Sequence, residues 1–260
     1  MILTSDNYFS KEASLAYMSA SQFKAFGKCE YYGYADAHGL FHREQTQALL
    51  IGSYVDAYFE GTLPEFRTNH PEIFKRDGSL KSEYLRADDI IQRILADQMM
   101  TKYMAGDKQV IMTCEIEGVP FKCKMDVYHP GKAIVDLKVM RDFNAQYKAG
   151  EGRLNFVQYW GYDLQGAIYQ ECVRQNTGEK LPFIICAATK ETVPDIGLFS
   201  VEQEILDAQL QIVKYMAPIF ESIKKGDIEP IRCEQCDACK ATKKITKIMT
   251  MEELNQREEI

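Results

Sequence analysis

Two aspartates and one lysine near the middle of the chain could together carry out phosphodiester hydrolysis. Asp126 is followed, after nine intervening residues, by the triplet Asp136, Leu137 and Lys138. Neighbouring carboxylates favour a cation between them, and Mg²⁺ or Mn²⁺ suits such an oxygen site. The ion would activate a bound water, while the lysine would orient that water or stabilise developing negative charge. Because the pattern is short, a surface ion pair between Asp136 and Lys138 is the alternative interpretation.

A predicted β-meander determines whether these side chains meet. Runs of β-forming residues with turn residues between them predict strands over 110–116, 121–128 and 133–139. Pairing of Tyr128 with Ile134 would place Asp126 opposite Asp136, and a shift by one residue would separate the two carboxylates across the sheet. The chemistry therefore predicts this pairing. Glu115, on the first strand, is a candidate further ligand.

Polar side chains recur along the predicted helix that follows the meander, over 155–175. Gln158, Tyr162, Gln165 and Tyr169 are spaced by four, three and four residues, so a continuous helix would carry them on one face. Amide and phenol groups are unusual in a dry helix seam. They suit contacts with phosphate, bases or water.

The remaining predicted elements surround this centre. Helices are predicted over 22–34, with Ser19 or Ser21 as N-cap, and over 48–59 and 82–104. A buried strand is predicted over 181–188. A final helix is predicted from Ser200 toward Gly226, with Ser200 and Gln203 as a capping box. The order of helices and strands indicates an α/β protein.

In chain order, these motifs resemble those of a nuclease superfamily. They are Ser19, Ser21 and Lys24; Gly52 and Asp56; Asp126; Asp136, Leu137 and Lys138; and Gln165 and Tyr169. The set resembles the PD-(D/E)XK superfamily, specifically its RecB-like branch, and is most similar to RecE-type exonucleases of phages and prophages. The resemblance covers roughly residues 15–240.

The resemblance implies an α/β fold with a restriction-endonuclease-like core, in which helices flank a mixed central sheet. Residues 1–105 would form a helical N-terminal part, 106–228 the nuclease core, and 229–260 a cysteine-rich, basic C-terminal tail. The implied function is metal-dependent exonuclease action, with 5′-to-3′ resection of double-stranded DNA in phage-type recombination. The alternatives are another RecB-like nuclease with an iron–sulfur cluster, or a DNA-binding module whose catalytic site has decayed.

The resemblance also implies roles for individual residues. Asp126, Asp136 and the backbone carbonyl of Leu137 would bind Mg²⁺ or Mn²⁺, and Lys138 would be the catalytic lysine. Gln165 and Tyr169 would support the site or touch DNA. Many RecB-like nucleases have a metal-binding histidine where this chain has Asp56. A carboxylate can also bind these ions, so we expect Asp56 to be a functional ligand, with reduced activity as the alternative.

Four cysteines form a second candidate metal site. Cys233, Cys236 and Cys239 lie at two-residue intervals, a spacing that lets a short loop wrap a metal, and Cys29 is the candidate fourth ligand. Some RecB-like nucleases hold a four-iron four-sulfur cluster with one early and three late cysteines. That resemblance favours iron–sulfur over zinc here, with free thiols as the third possibility.

Bulk properties restrict the partners. The 260-residue chain has a formal net charge of −7, so DNA contacts would come from local basic patches. The lysines of the segment 240–247 form one such patch, or a solvated tail. The absence of a signal segment and of a long apolar run predicts a cytoplasmic protein without membrane contact. The expected partners are double-stranded DNA ends, a single-strand annealing protein and further copies of the chain.

Overall fold

A five-stranded mixed sheet forms the centre of the protein. The structure, a computed structural model, describes residues 1–41 and 46–252. The sheet strands are Asp107–Ile116 (β1), Val119–His129 (β2), Ala133–Met140 (β3), Phe183–Thr189 (β6) and Ile196–Ser200 (β7); Gln146–Lys148 (β4) and Gly152–Leu154 (β5) form a separate ribbon. The sheet order is β1-β2-β3-β6-β7. β3 and β6 are parallel and the other neighbours are antiparallel.

Helices lie on both sides of this sheet. They are Lys11–Ala16 (α1), Ala20–Lys28 (α2), Glu30–Ala37 (α3), Gln47–Glu60 (α4), Leu63–Asn69 (α5), Ser82–Leu95 (α6), Gln98–Tyr103 (α7), Phe156–Tyr159 (α8), Tyr162–Thr177 (α9), Gln203–Lys225 (α10) and Asp237–Ala241 (α11). A 3₁₀ turn spans Pro71–Ile73. Across the described ranges, no helix has the length and apolar character needed to cross a bilayer.

The buried apolar residues form two clusters that the sheet separates. Along β3, Ile134 belongs to one cluster and Val135 and Leu137 to the other, as the alternation of side chains along a strand requires. The first cluster includes residues of α2, α9 and α10, and the second includes residues of α4, α6 and α7. This arrangement confirms the predicted α/β architecture with a mixed central sheet flanked by helices.

The hairpin of β2 and β3 has the predicted register. Tyr128 pairs with Ile134, and the pairing of Val127 with Val135 follows it along the ladder. Continued by one more position, this register sets Asp126 opposite Asp136. The predicted pairing of Tyr128 with Ile134 is therefore confirmed, and the ladder ends one position before Asp126 and Asp136.

Three predicted helices are each interrupted by one or two residues. Cys29 is extended, with φ −166° and ψ 123°, and divides α2 from α3. Asp97 caps α7 by accepting from two backbone amides, which divides the predicted helix 82–104. Gly161 has a left-handed φ of 62° and separates α8 from α9. Glycine adopts this conformation at little cost, so the chain can leave the helix at Gly161 without backbone strain.

The predicted start of the last helix at Ser200 is wrong. Ser200 ends β7 and pairs with Ile184 of β6. α10 begins at Gln203 instead, after Glu202. Pairing along the free edge of β6 satisfies the backbone groups of 196–200 in a way that the capping pattern alone did not reveal.

Candidate active site

Four carboxylates from three elements line one pocket. The pocket has a volume of about 480 Å³ and includes Asp56 and Glu60 of α4, Asp126 of β2, and Asp136 of β3. Leu137, Lys138, Gln165 and Tyr169 line it as well. All but one of the nuclease-site residues named from the sequence are therefore brought together.

Asp126 lies where β2 and β3 separate. Their backbone pairing stops at Val127 and Val135, and the amide of Leu137 donates instead to Oδ2 of Asp126 at 2.8 Å. On the other side of β2, Gln109 faces Asp126 between two paired positions and has a left-handed φ of 54°. Such backbone is uncommon for residues other than glycine and often marks a functional site. Gln109 also lines the pocket, and no motif in the sequence indicates this role.

Asp136 is the most buried of the acids, with 1% exposure. Gln165 of α9 donates from Nε2 to its Oδ1 at 2.6 Å. Lys138 forms an ion pair with its Oδ2. The Lys138 ammonium also lies 5.0 Å from the ring centre of Tyr162, within the range of a cation–π interaction. Both oxygens of Asp136 are thus held, and Lys138 is held with them.

The electrostatics of the pocket show an excess of negative charge. Burial, together with the neighbouring Asp136, raises the pKa of Asp126 to about 7. Burial and the charge of Asp126 likewise raise the pKa of Asp56 well above its usual value. Burial alone would lower the pKa of Lys138, but Asp136 and Asp126 outweigh it and raise that pKa. Ionising Asp56 and Asp126 at the same time therefore costs free energy.

Glu60 is a pocket residue that the sequence analysis missed. It lies four residues after Asp56 on α4, so the two carboxylates share one helix face. Its charge contributes to the raised pKa of both Asp56 and Asp126. The spacing of two acids by four residues, directly before the helix-ending Gly61, was the available signal.

The stripe of glutamines and tyrosines is divided by the break at Gly161. Gln165 and Tyr169 lie on α9 and line the pocket, whereas Gln158 lies on α8 and is exposed. The Tyr169 hydroxyl donates to the Lys124 carbonyl at 3.2 Å. This placement agrees with the choice of Gln165 over Gln158, whereas Tyr162, also on α9, lies beside Lys138.

Glu115 is not placed with the other acids, which corrects its prediction as a ligand. It lies near the β1–β2 turn, paired with Pro120, and is exposed. Gln109, not Glu115, is the β1 residue that faces Asp126. The prediction failed because the tight turn at Glu117 and Gly118 pairs Glu115 with Pro120, well along β2 from Asp126.

The serine and lysine of the N-terminal motif support the site. Ser19 caps α2 by accepting from the amide of Gln22 at 3.2 Å. Lys24 donates to the Trp160 carbonyl at 3.2 Å, which holds the break between α8 and α9. Burial and the nearby Lys138 lower the pKa of Lys24 to about 8. Lys24 thus adds positive charge at the edge of the site.

The donor set fits a hard divalent cation. Carboxylate oxygens are the preferred ligands of Mg²⁺ and Mn²⁺, and the site offers several of them. The raised pKa values of Asp56 and Asp126 show the mutual repulsion that such an ion would relieve. Asp56, Asp126 and Asp136 are the residues best placed to hold the ion.

The four predicted cysteines come together at a second place. The Sγ atoms of Cys29, Cys233, Cys236 and Cys239 all lie within 4.8 Å of one another. The sulfurs of Cys29 and Cys239 are 3.7 Å apart, and those of Cys233 and Cys239 are 4.0 Å apart. The extended backbone at Cys29 makes this approach possible, because it turns the chain between α2 and α3.

The sulfur spacing differs between a single ion and a cluster. Zinc–sulfur bonds of about 2.3 Å in a tetrahedron place the sulfurs about 3.8 Å apart. A four-iron four-sulfur cluster holds its cysteines on the outside of a larger body, so the same thiolates would have to move apart. The observed separations are closer to those of one tetrahedral ion.

The comparisons with known proteins agree with this architecture. A family model described as "PDDEXK-like domain of unknown function (DUF3799)" matches residues 19–242. A crystal structure of a protein from Eubacterium rectale named "Putative exonuclease" is 48% identical, covers 98% of both chains and has a TM-score of 0.94. No curated protein is significantly similar to the chain. These matches confirm the predicted restriction-endonuclease-like fold.

Proposed function

The chain belongs to the PDDEXK-like domain family, within the PD-(D/E)XK superfamily, and from this we propose that it is a metal-dependent deoxyribonuclease. The observation that carries the proposal is the pocket shared by Asp56, Asp126, Asp136 and Lys138. The helices α4 and α9 and the strands β2 and β3 together supply the acids, the lysine and the Gln165 amide to this pocket. If Asp136 and Lys138 formed only a surface ion pair, the other carboxylates and the Gln165 amide would not be needed beside them.

The proposed mechanism assigns each side chain a task. Asp126, Asp136 and the Leu137 carbonyl would hold Mg²⁺ or Mn²⁺, with Asp56 as a further ligand. Such an ion would supply a water of lowered pKa and offset charge on the phosphate. Lys138 orients the attacking water and stabilises the negative charge that develops on the phosphate oxygens. Gln165 fixes the carboxylate of Asp136 through its hydrogen bond.

We further propose that the enzyme is an exonuclease acting on ends of double-stranded DNA. The name of the similar Eubacterium rectale protein supports exonuclease action. Polarity from 5′ to 3′, a role in phage-type recombination, an annealing-protein partner and self-association rest on the resemblance to RecE-type enzymes. A cytoplasmic location accords with this role.

Digestion of end-labelled linear duplex DNA tests the proposal. Wild-type protein and the Asp136→Ala variant are incubated with Mn²⁺ or Mg²⁺, and a closed circular duplex is the control substrate. We expect the wild type to release labelled nucleotides from the 5′ strand of linear DNA and to spare the circle. Equal behaviour of wild type and variant would refute the enzymatic proposal, and cleavage of the circle would refute exonuclease action.

For the four cysteines we propose a structural metal centre, either zinc or an iron–sulfur cluster. Their mutual spacing supports a metal, and it is closer to that of a single zinc ion. Metal analysis and visible absorbance of anaerobically purified protein distinguish the two. About one zinc per chain without colour identifies zinc, and about four irons with broad absorbance near 400 nm identify a cluster. Colourless protein without metal would remove the proposal.

A further inference from the structure

An exposed aromatic ring stands at the mouth of the carboxylate pocket. Phe9 lines the pocket together with Asp126 and Lys138, yet its side chain is 77% exposed. Covering an exposed phenyl ring removes apolar surface from water, which favours binding of a flat apolar partner. A rigid exposed ring beside a site for nucleic acid suits the flat face of a base.

The segment that carries Phe9 is firmly held. The neighbouring Tyr8 is buried, and its carbonyl accepts a 2.6 Å hydrogen bond from Nζ of Lys122, which is 3% exposed. The Lys122 ammonium also lies 4.6 Å from the Tyr8 ring centre. Burying a lysine is expensive, so this contact fixes the backbone strongly where Phe9 begins. Ser10, on the other side of Phe9, caps α1.

A cation accompanies the ring. Nζ of Lys124 lies 5.3 Å from the Phe9 ring centre, and Lys124 lines the same pocket. Proteins that bind single-stranded nucleic acid combine aromatic rings that stack on bases with cations that follow the phosphates. Phe9 and Lys124 provide one of each beside the proposed metal ligands.

We propose that Phe9 stacks on an unpaired base next to the scissile phosphate, while Lys124 binds a phosphate of the same strand. The substrate at the moment of cleavage is then a single strand, either free or separated from the end of a duplex. The inference rests on the proposed nuclease activity and specifies the form of DNA that the site accepts. It makes Phe9 a specificity-determining residue, outside the hydrolytic chemistry.

Fluorescence of 2-aminopurine tests the stacking directly. The probe is a single-stranded DNA of roughly 12 nucleotides with 2-aminopurine at its 5′ end, bound without divalent metal so that no cleavage occurs. We expect wild type to quench the fluorescence on binding. Phe9→Leu, which keeps an apolar side chain that cannot stack, should lose the quenching and bind about tenfold more weakly, and Phe9→Tyr should restore both.

Tyr215→Ala is the matched control, because Tyr215 is 75% exposed on α10 and does not line the pocket. It should bind like wild type. Equal quenching and binding by wild type and Phe9→Leu would overturn the inference. Because the readout needs no cleavage, inactivity of the wild type on DNA counts against the proposed function alone. Thermal denaturation of each variant verifies that a loss of binding is not a loss of folding.

Discussion

The carboxylate pocket and the cysteine cluster both gather ionisable donors, but the surrounding protein treats the two sets differently. In the pocket, burial and like charge raise the pKa of Asp126 to about 7. In the cluster, burial opposes ionisation of Cys233, but the amides of Gln235 and Cys236 lower its pKa to about 6. The pocket therefore holds more negative charge than Lys138 compensates. In the cluster, backbone amides stabilise the Cys233 thiolate, while burial raises the pKa of Cys236 and Cys239.

This difference indicates a division of labour. A site with excess negative charge gains from a divalent cation, and the bound cation can in turn attract a phosphate, as the proposed catalysis requires. A cluster that joins Cys29 to the segment after α10 stabilises the chain in the manner of structural metal sites. We therefore expect substitutions in the pocket to reduce activity and substitutions in the cluster to reduce stability.

The largest expected effect is at Asp136. Asp136→Asn keeps the size of the side chain but removes the charge that the metal and Lys138 require. Cleavage of linear DNA should fall on the order of 10³-fold with little change in melting temperature. Initial rates in Mn²⁺ and thermal denaturation measure the two. Asp207→Asn, at an exposed acid of α10, is the control. A large loss of stability without loss of rate would contradict the expectation that the pocket serves activity and the cluster serves stability.

Gln165 is expected to have an intermediate effect. Gln165→Met removes the hydrogen bond to Asp136 and keeps the length of the side chain. The rate should fall about 10–100-fold, as for other residues that orient metal ligands. Gln158→Met, on the exposed face of α8, should be unaffected. Similar losses in both variants would show that the orientation of Asp136 is unimportant.

Loss of one cysteine tests whether the cysteine cluster stabilises the fold. Cys239→Ala should abolish metal binding at the cluster and lower the melting temperature by roughly 5–10 °C, if the bound metal contributes about 2–3 kcal/mol. Activity measured well below that temperature should stay within a fewfold of wild type. Cys114→Ala, at a thiol outside the cluster, is the control and should retain the metal. A fall in activity as large as that of Asp136→Asn would show that the carboxylate pocket depends on the cysteine cluster for its activity.

Tyr169 gives a small expected effect on the rate. Tyr169→Phe removes only the hydrogen bond to the Lys124 carbonyl. A single neutral hydrogen bond contributes about 1 kcal/mol, so the rate should fall about fivefold. Tyr159→Phe, on α8, provides the matched control. A loss as large as that of Gln165→Met would assign Tyr169 a direct contact with DNA.

A further prediction concerns the dependence of stability on pH, separately from the rate. Folding raises the pKa of Asp126 to about 7 from an unfolded value near 3.9, so the folded protein binds the extra proton between these values. The free energy of unfolding without Mg²⁺ should therefore fall as pH rises from about 4 to about 7. Denaturation between about pH 5 and pH 8 measures this slope. Asp126→Asn and added Mg²⁺ should each reduce it, and an unchanged slope in Asp126→Asn would locate the cause elsewhere.

Much of the candidate site could be predicted because strand alternation and turn length restrict it strongly. The turn between β2 and β3 left few registers, and only one placed Asp126 opposite Asp136. The thiol spacing at 233–239 likewise predicted a cluster, and Cys29 joined it as expected. In both cases the chemistry restricted the geometry.

Other features depended on contacts that no local pattern contains. Glu60 was missed because a helix face gives no sign of which acids meet a distant strand. The breaks at Cys29 and Gly161 interrupt stretches with helical patterns, since tertiary contacts fix the backbone there.

The cysteine cluster also imposes an order on the folding of the newly synthesised chain. Cys29 and Cys239 are separated by 210 residues. At about 5–20 residues per second, a ribosome needs on the order of 10–40 s to span that interval. Every strand of the sheet, and the helices that supply pocket residues, leave the ribosome before Cys233. The carboxylate pocket can thus assemble on the nascent chain before the cysteines are able to join.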